Sequence, residues 1–221
     1  MRLLGLPLVP DPSGALWWPE EGVLAVADLH LEKGSAFAAR GRMLPPYDTR
    51  ATLDRLAEAM SRLKPKTVLC LGDSFHDRHA AERLHDTDRA RLSALVGAVD
   101  WVWITGNHDP HAPEGLGGRV AAEVRLGPLL FRHAAEPGVT GEVSGHLHPA
   151  AAVLLPGRRV RERCFVTDGA KLILPAFGAY AGGLNVLDPA IRHLLRTPFQ
   201  AHLIRGGKLH AFPHSRLSPD G

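Results

Sequence analysis

The chain has 221 residues, 45% of them hydrophobic and 22% charged, with a formal net charge of +3 and a pI near 9.1. That balance excludes a disordered or fibrous chain and leaves room for one large domain or two small ones. The slight basic excess permits a polyanionic partner, and two cysteines, Cys70 and Cys164, are too few for a disulfide framework.

The opening MRLLGLPLVPDP is interrupted by Pro7, Pro10 and Pro12 and has no small-residue cleavage site, so it reads as an edge strand and a turn, not a signal peptide. No apolar run approaches bilayer-spanning length. Cys70 sits in an apolar run, so both thiols are expected to be buried and reduced. The expectation is a soluble cytoplasmic protein with no membrane association.

Residues 3–18 predict a hairpin with its turn at 10–14, followed by a strand over 23–31. The polar, Gly- and Pro-bearing segment 32–47 is expected to be a loop. Leu53, Leu56, Ala57, Met60 and Leu63 recur at three- and four-residue spacing, which predicts a helix over 48–63 capped by Asp48 or Thr49. A buried strand over 67–71, a helix over 81–97 and a third strand over 101–105 follow. Strands alternating with helices imply a parallel sheet with right-handed crossovers, whose ligand lies off the carboxyl ends of the strands.

Beyond residue 118 the texture changes to β-hairpins: 120–126 with 128–133, and 151–155 with 159–167 around Pro156-Gly157. Strands at 142–144, 171–174 and 184–187, a helix over 189–196 and a hairpin turning at Gly206-Gly207 complete the series. No internal repeat or linker is visible. The shift near 118 is read as one sheet meeting another within a single domain, 1–221.

The candidate chemistry gathers at strand ends. In an extended chain, alternate residues face the same way, so Asp28 and His30 are expected to converge while Leu29 packs inward. Asp73, Asn107, His108, Asp109, His133, His146 and His148 follow strand-like runs in the same manner. These are oxygen and nitrogen donors with no thiolate, a set that suits Mn, Fe or Zn ions in a reactive site better than a structural zinc. There are too many donors for one ion, so two ions sharing Asp73 is the economical reading. Paired metals suit in-line displacement at phosphorus, with a bridging hydroxide as nucleophile, so no Ser or Cys nucleophile is needed.

Other residues carry weaker expectations. Arg40 and Arg42, with His76, are candidate phosphate or substrate contacts; Asp77 and His79 fit a polar loop equally well. Arg159, Arg161 and Arg163 share one strand face, which suits phosphates or a charge-protected edge. Trp101 and Trp103 are expected in the core, although Trp17, Trp18, Trp101 and Trp103 could also stack bases. His111, His193, His202, His210 and His214 show no partner pattern.

"DLH", "GD", "GNHD", a later His and "GHLH", in this order, resemble the calcineurin-like metallophosphoesterases. Longer stretches, "DLHLEKGSAFAARGRMLPPYDTRATL", "LGDSFHD", "SGHLHP" and "PAFGAYAGGLNVLDP", are similar to the ligase-associated DNA-damage-response branch of that family, over roughly residues 15–190. The resemblance implies an α/β fold of four layers, an α/β/β/α sandwich, with a dinuclear site at strand ends. It also implies phosphodiesterase activity, including manganese-dependent DNA cleavage. By matching motif, Asp28, His30 and His148 hold one ion, Asp73 bridges, and Asn107, His133 and His146 hold the second. His108 stays outside the metals and protonates the leaving oxygen or stabilises the transition state, with Asp109 orienting it. The sequence departs from the common pattern at His76 and Asp77, and at Ala134-Ala135 after His133.

The expectation is therefore an enzyme: a phosphodiesterase or DNA endonuclease using two divalent ions, Mn2+ foremost. It is expected to act on single-stranded DNA in bacterial repair, alongside a DNA ligase and helicase. A phosphomonoesterase and a non-catalytic interaction module on the same fold are the alternatives.

Overall fold

Apolar side chains that alternate along each strand are shared between two cores, and that division sets the architecture. The computed structural model describes residues 1–109 and 115–220. A short hairpin, β1 (Arg2–Leu3) and β2 (Leu6–Pro7), precedes the first sheet. That sheet runs in order through β3 (Val9–Pro10), β4 (Leu16–Trp18), β5 (Val23–Val26), β6 (Thr67–Leu71), β7 (Asp100–Ile104) and β8 (Arg119–Ala121). From β5 to β8 all pairings are parallel, as the strand–helix alternation requires.

The crossovers carry α1 (Lys33–Ala38), α2 (Asp48–Leu63), α3 (Ala80–Arg83) and α4 (Asp86–Gly97). Ten strands form the second sheet: β9 (Glu123–Leu126), β10 (Leu129–Arg132), β11 (Glu142–Ser144), β12 (Pro149–Leu155), β13 (Arg158–Thr167), β14 (Lys171–Ile173), β15 (Leu184–Asn185), β16 (Gln200–Arg205), β17 (Lys208–Pro213) and β18 (Leu217–Ser218). A one-turn helix, α5 (Pro189–Arg192), packs on its outer face.

On one face of the first sheet Leu24, Val26, Val68, Cys70, Trp101 and Trp103 pack against Leu53, Leu56, Leu92 and Val96 of α2 and α4. Their immediate neighbours Val23, Ala25, Leu69, Leu71, Val102 and Ile104 face the second sheet, meeting Leu129, Phe131, Val143, Phe165 and Leu172. The second sheet repeats the device: Cys164, Val166 and Ile173 point outward to Ile191, Leu194 and Leu195. Each fully buried aliphatic or aromatic side chain contributes about 1.5–3 kcal/mol. The result is the expected four-layer α/β/β/α order. Cys70 and Cys164 are both buried free thiols. Among the described residues no helix is long and apolar enough to cross a membrane.

Several expectations need correction. The segment 32–47 is not all loop, because α1 begins at Lys33; Gly34 and the lack of apolar spacing hide it from a periodicity argument. Asp48 and Thr49 do not cap α2. They turn back to α1 instead: Asp48 Oδ2 accepts from Gly34 N (2.9 Å), and Thr49 Oγ1 accepts from Glu32 N (2.9 Å) while donating to Glu32 Oε1 (2.8 Å). The helix expected over 81–97 is two pieces, separated at Leu84 and His85. Residues 119–121 join the first sheet, so the chain changes sheets at residue 122 and not inside a hairpin.

The hairpin turn at 11–15 is tied to α2 by a two-pronged ion pair, Arg62 Nη1 and Nη2 to Asp11 Oδ2 and Oδ1 at 2.8 and 2.9 Å. Burial alone would raise the Asp11 carboxyl, but hydrogen bonds from Arg62 and Ser13 outweigh it and hold the group below 3.8. A depressed folded pKa means the contribution is complete above that value and fades as pH falls through the folded one. Arg62 is half-exposed, so solvent screening limits the pair to about 1 kcal/mol. Asp11→Asn should therefore be about 1 kcal/mol less stable than wild type at pH 7 in urea unfolding. The difference should close in strongly acidic buffer.

Candidate metal centre

β5 stops at Val26, and the chain does not stay extended through the residues that follow. Asp28, His30 and Glu32 have φ of 54°, 43° and 65°, and Leu29 and Leu31 between them are buried in the helix-side core. Asp28 and His30 do face one spot, but by alternating left-handed residues and not by the pleat of a strand. His30 N donates to Asp73 O and Leu31 N to Ser74 O, both at 2.9 Å, which ties this turn to the end of β6. Asp73 (φ 48°) there, and His146 and His148 (φ 69° and 46°) between β11 and β12, adopt the same conformation.

Two groups of donors result. One ligand atom each from Asp28, His30 and His148 lie within 4.8 Å of one another, and so do those of Asp73, His133 and His146. In the first, His30 Nε2 and His148 Nε2 are 3.1 Å apart and His148 Nε2 is 3.5 Å from Asp28 Oδ1. In the second, His146 Nδ1 and His133 Nε2 are 3.1 Å apart and His133 Nε2 is 3.5 Å from Asp73 Oδ2. Asn107 joins the second through Nδ2, 3.3 Å from His146 Nδ1. His133 Nδ1 lies 3.9 Å from Asp28 Oδ1, so the groups adjoin. All seven sequence-derived ligand candidates meet, His133 among them.

The donor chemistry fits divalent cations. Asp28 is fully buried, one of its oxygens accepts from His146 N (2.9 Å), and the other has no hydrogen-bond partner. His133 Nδ1 faces the Leu71 carbonyl at 2.9 Å, so it must donate there, leaving the Nε2 lone pair toward Asp73. Burial, reinforced by the charges of His148, His108, His76 and Lys33, pushes the His30 imidazole down to about 2, which keeps it neutral and able to donate its lone pair. Burial likewise lowers His146, with His133 adding to the effect.

His108 lies outside both groups, half-exposed, with Nε2 4.0 Å from Asp73 Oδ2. Its orienting partner is not Asp109. His108 Nδ1 donates to the His76 carbonyl at 2.8 Å, and the two rings stack at 5.6 Å with planes 18° apart. Asp109 Oδ2 instead accepts from Ser74 N and Phe75 N (2.7 and 3.1 Å), fixing the loop that carries Asp73. Burial, together with the Asp73 charge, raises the Asp109 carboxyl to about 6. Asp77 pairs with Arg83 and His79 with Glu82, away from the donors.

The arginine expectations divide. Arg40 and Arg42 are exposed in the turn that closes α1, and the Arg40 charge bears on His76. Arg163 donates to the carbonyls of Ala176 and Ser13, and Arg161 to Gly183 O and Asp220, while Arg159 holds Asp220 and Pro219 O. These three brace the chain, so a phosphate role for them is not supported. His111 lies outside the described residues.

Sequence reasoning passed over the glycines inside the motifs. A Cβ on Gly145 would sit 2.5 Å from Asp28 Oδ2, and one on Gly72 (φ 77°) would sit 2.4 Å from His133 Nδ1. Both approaches are closer than any side chain allows, so glycine there is a condition of the donor geometry. The repeated Gly before Asp, Asn and His is the signal that could have found them. Gly145→Ala should leave the circular dichroism spectrum intact and weaken manganese binding about 10- to 100-fold, the usual cost of disturbing groups that orient metal ligands, as titration calorimetry would measure.

A family model described as calcineurin-like phosphoesterase matches residues 22–134, which include Asp28, His30, Asp73, Asn107, His108 and His133. Among solved structures the chain is similar to the nuclease MPE of Pseudomonas putida, with a TM-score of 0.74 and 28% identity over 96% of this chain and 98% of that one. It is more loosely similar to Yfce, a phosphoesterase from E. coli, with a TM-score of 0.45 and 15% identity over 86% and 97% of the two chains, a likeness that carries no argument. Among curated proteins it is similar to ATP synthase subunit b-delta of Mycobacterium sp. strains KMS and JLS, 28% identical over 181 residues. That match covers 77% of this chain, which spans only 37% of the length of those relatives. With just over half of the sequence inside the family model, this chain belongs to the calcineurin-like phosphoesterase family.

Proposed function

We propose that this protein is a phosphodiesterase that cleaves DNA, preferentially single-stranded, with two divalent ions held by its two donor groups. The observation that carries the reading is the pair of adjoining imidazole–carboxylate clusters, with His108 beside them. The similarity to a nuclease along nearly the whole chain supports the substrate class. Asp28, His30 and His148 would hold one ion and Asn107, His133 and His146 the other, with Asp73 shared between them. Manganese is the expected ion, with iron or zinc as alternatives, because a set of N and O donors without thiolate suits all three. A bound pair of such ions polarises phosphoryl oxygens and activates water near neutral pH.

The chain's own residues supply the rest. With Nδ1 committed to the His76 carbonyl, His108 presents Nε2 to the site, where it gives a proton to the departing oxygen. Its stacking on His76 holds the ring in that orientation. Asp109 acts at one remove, anchoring the Ser74–Phe75 backbone so that Asp73 stays in place. The biological setting we propose is bacterial DNA repair in the cytoplasm, beside a DNA ligase and helicase; this part rests on the sequence resemblance alone.

The decisive assay measures manganese-dependent cleavage of single-stranded DNA, duplex DNA and RNA. Single-stranded DNA should be cut fastest, and a chain that hydrolyses only phosphomonoesters would end the proposal. His108→Ala should lower kcat about 10²- to 10⁴-fold, the usual worth of a positioned general acid, while both ions still bind. Unchanged turnover with a poor leaving group would remove His108 from that role. Asp73→Asn should abolish activity and reduce bound metal, measured by elemental analysis; retained occupancy and rate would argue against a shared carboxylate.

A further inference from the structure

The donor groups do not exhaust the chemistry on this side of the molecule. α1 begins three residues after His30 and projects Lys33 and Phe37, one helical turn apart, from its surface. Lys33 Nζ lies 6.0 Å from the centre of the Phe37 ring. The Phe37 ring is 5.9 Å from His76, and His76 is 5.6 Å from both His30 and His108. A row of rings therefore leads from a candidate ligand and the candidate acid out to Phe37, with an ammonium at its end.

From this row we propose a nucleotide subsite on α1: Phe37 stacks the base of the nucleotide next to the scissile phosphate, and Lys33 contacts that nucleotide's own phosphate. The inference rests on the phosphodiesterase reading above and names the part of the substrate that the reading leaves open.

Three observations carry it. First, Lys33 is partly buried, yet among the described residues no carboxylate comes within 4.0 Å of its ammonium. A partly desolvated cation met only by a ring face and the more distant Asp48 charge still has room for an anion, and a substrate phosphate supplies one. Burial lowers Lys33 from its usual value, the Asp48 charge opposing it, and the Lys33 charge reaches both His30 and His76. Second, the Lys33 ammonium lies over the Phe37 ring, 6.0 Å from its centre, close enough for cation and ring to meet the phosphate and the base of one nucleotide. Aromatic stacking accepts every base, so such a subsite gives affinity without sequence preference.

Third, α1 is fixed before any substrate arrives. Glu32 and Thr49 exchange two hydrogen bonds, and Asp48 holds Gly34 N, so the helix is locked against α2. A Cβ at Gly34 would meet Asp48 Oδ1 at 2.6 Å, which shows how closely the two elements are pressed together. A preformed platform avoids the ordering cost of a mobile loop. Arg40 follows in the turn that closes the helix, and its charge bears on His76.

The test uses the manganese-loaded protein and two chromogenic diesters, thymidine 5′-(p-nitrophenyl phosphate) and methyl p-nitrophenyl phosphate, which differ in the presence of a nucleoside. Wild type should favour the nucleoside ester in kcat/KM by about tenfold or more, the range expected of one stacked base. Phe37→Leu should bring that ratio toward one, mainly through KM, and Phe37→Trp should restore it. Lys33→Ala should raise KM for a single-stranded oligonucleotide and reduce the slope of log affinity against log salt by about one, with Lys33→Arg intermediate. Equal losses on both diesters in Phe37→Leu would mean that the ring only supports His76, and the subsite would fall. Equal wild-type rates on both diesters would sink the subsite and spare the phosphodiesterase. Hydrolysis of p-nitrophenyl phosphate without either diester would overturn both.

Discussion

The site depends on backbone conformation before it depends on any side chain. Of the seven candidate ligands, Asp28, His30, Asp73, His146 and His148 all adopt positive φ. Each such residue costs on the order of 1–3 kcal/mol and persists only where its surroundings over-determine it. Here they do. The parallel ladder β5–β6–β7 ends directly beneath Asp28 and Asp73, Leu29 and Leu31 are sunk in the helix-side core, and His30 N is bonded to Asp73 O. A left-handed residue followed by a buried one sends alternate side chains to the same side while the chain stays within reach of the site. That lets two short turns deliver four donors, which a continuing strand would carry away from one another.

Electrostatics makes the resulting cluster incomplete by itself. Asp28 and Asp73 are almost fully buried, and among the described residues neither has a lysine or arginine within 4.0 Å. Their nearest companions are imidazoles, and burial drives His30 and His146 toward the neutral form. Carboxylates buried beside imidazole lone pairs, with backbone N–H groups but no cationic side chain donating to them, are a costly arrangement in a medium of low dielectric constant. Divalent cations resolve both problems together, since they neutralise the carboxylates and use the lone pairs.

How much of this was legible in the sequence follows from what each residue's neighbours had to do. The strands of the first sheet were readable because Leu24, Val68 and Trp101 serve one core and Ala25, Leu69 and Val102 the other, a continuous apolar run that only a doubly covered strand needs. The candidate ligands could be picked out because Asp, His and Asn at strand ends have few structural reasons to recur. α1 was not readable, since its helix is held by contacts to Asp48 and Thr49 and not by an apolar stripe of its own. Nor was the partner of His108, because a backbone carbonyl, His76 O, leaves no mark on residue identity, whereas Asp109 beside it in sequence offered an obvious but wrong carboxylate.

The same distinction explains the arginines. Alternation placed Arg159, Arg161 and Arg163 together on β13, but periodicity says only which way side chains point and not what they meet. In the fold they meet carbonyls and Asp220, whose carboxyl is held down at about 2 by Arg161, Asn185 and Arg159. Guanidiniums so engaged have little left to offer a phosphate. Positive charge near the donor groups comes instead from the helix that follows His30, whose Lys33 charge reaches His30 and His76. The turn that carries two candidate ligands thus leads directly into a segment that bears an ammonium and an aromatic ring next to His76, so one stretch of chain, residues 28–40, adjoins both the donor groups and the proposed nucleotide subsite.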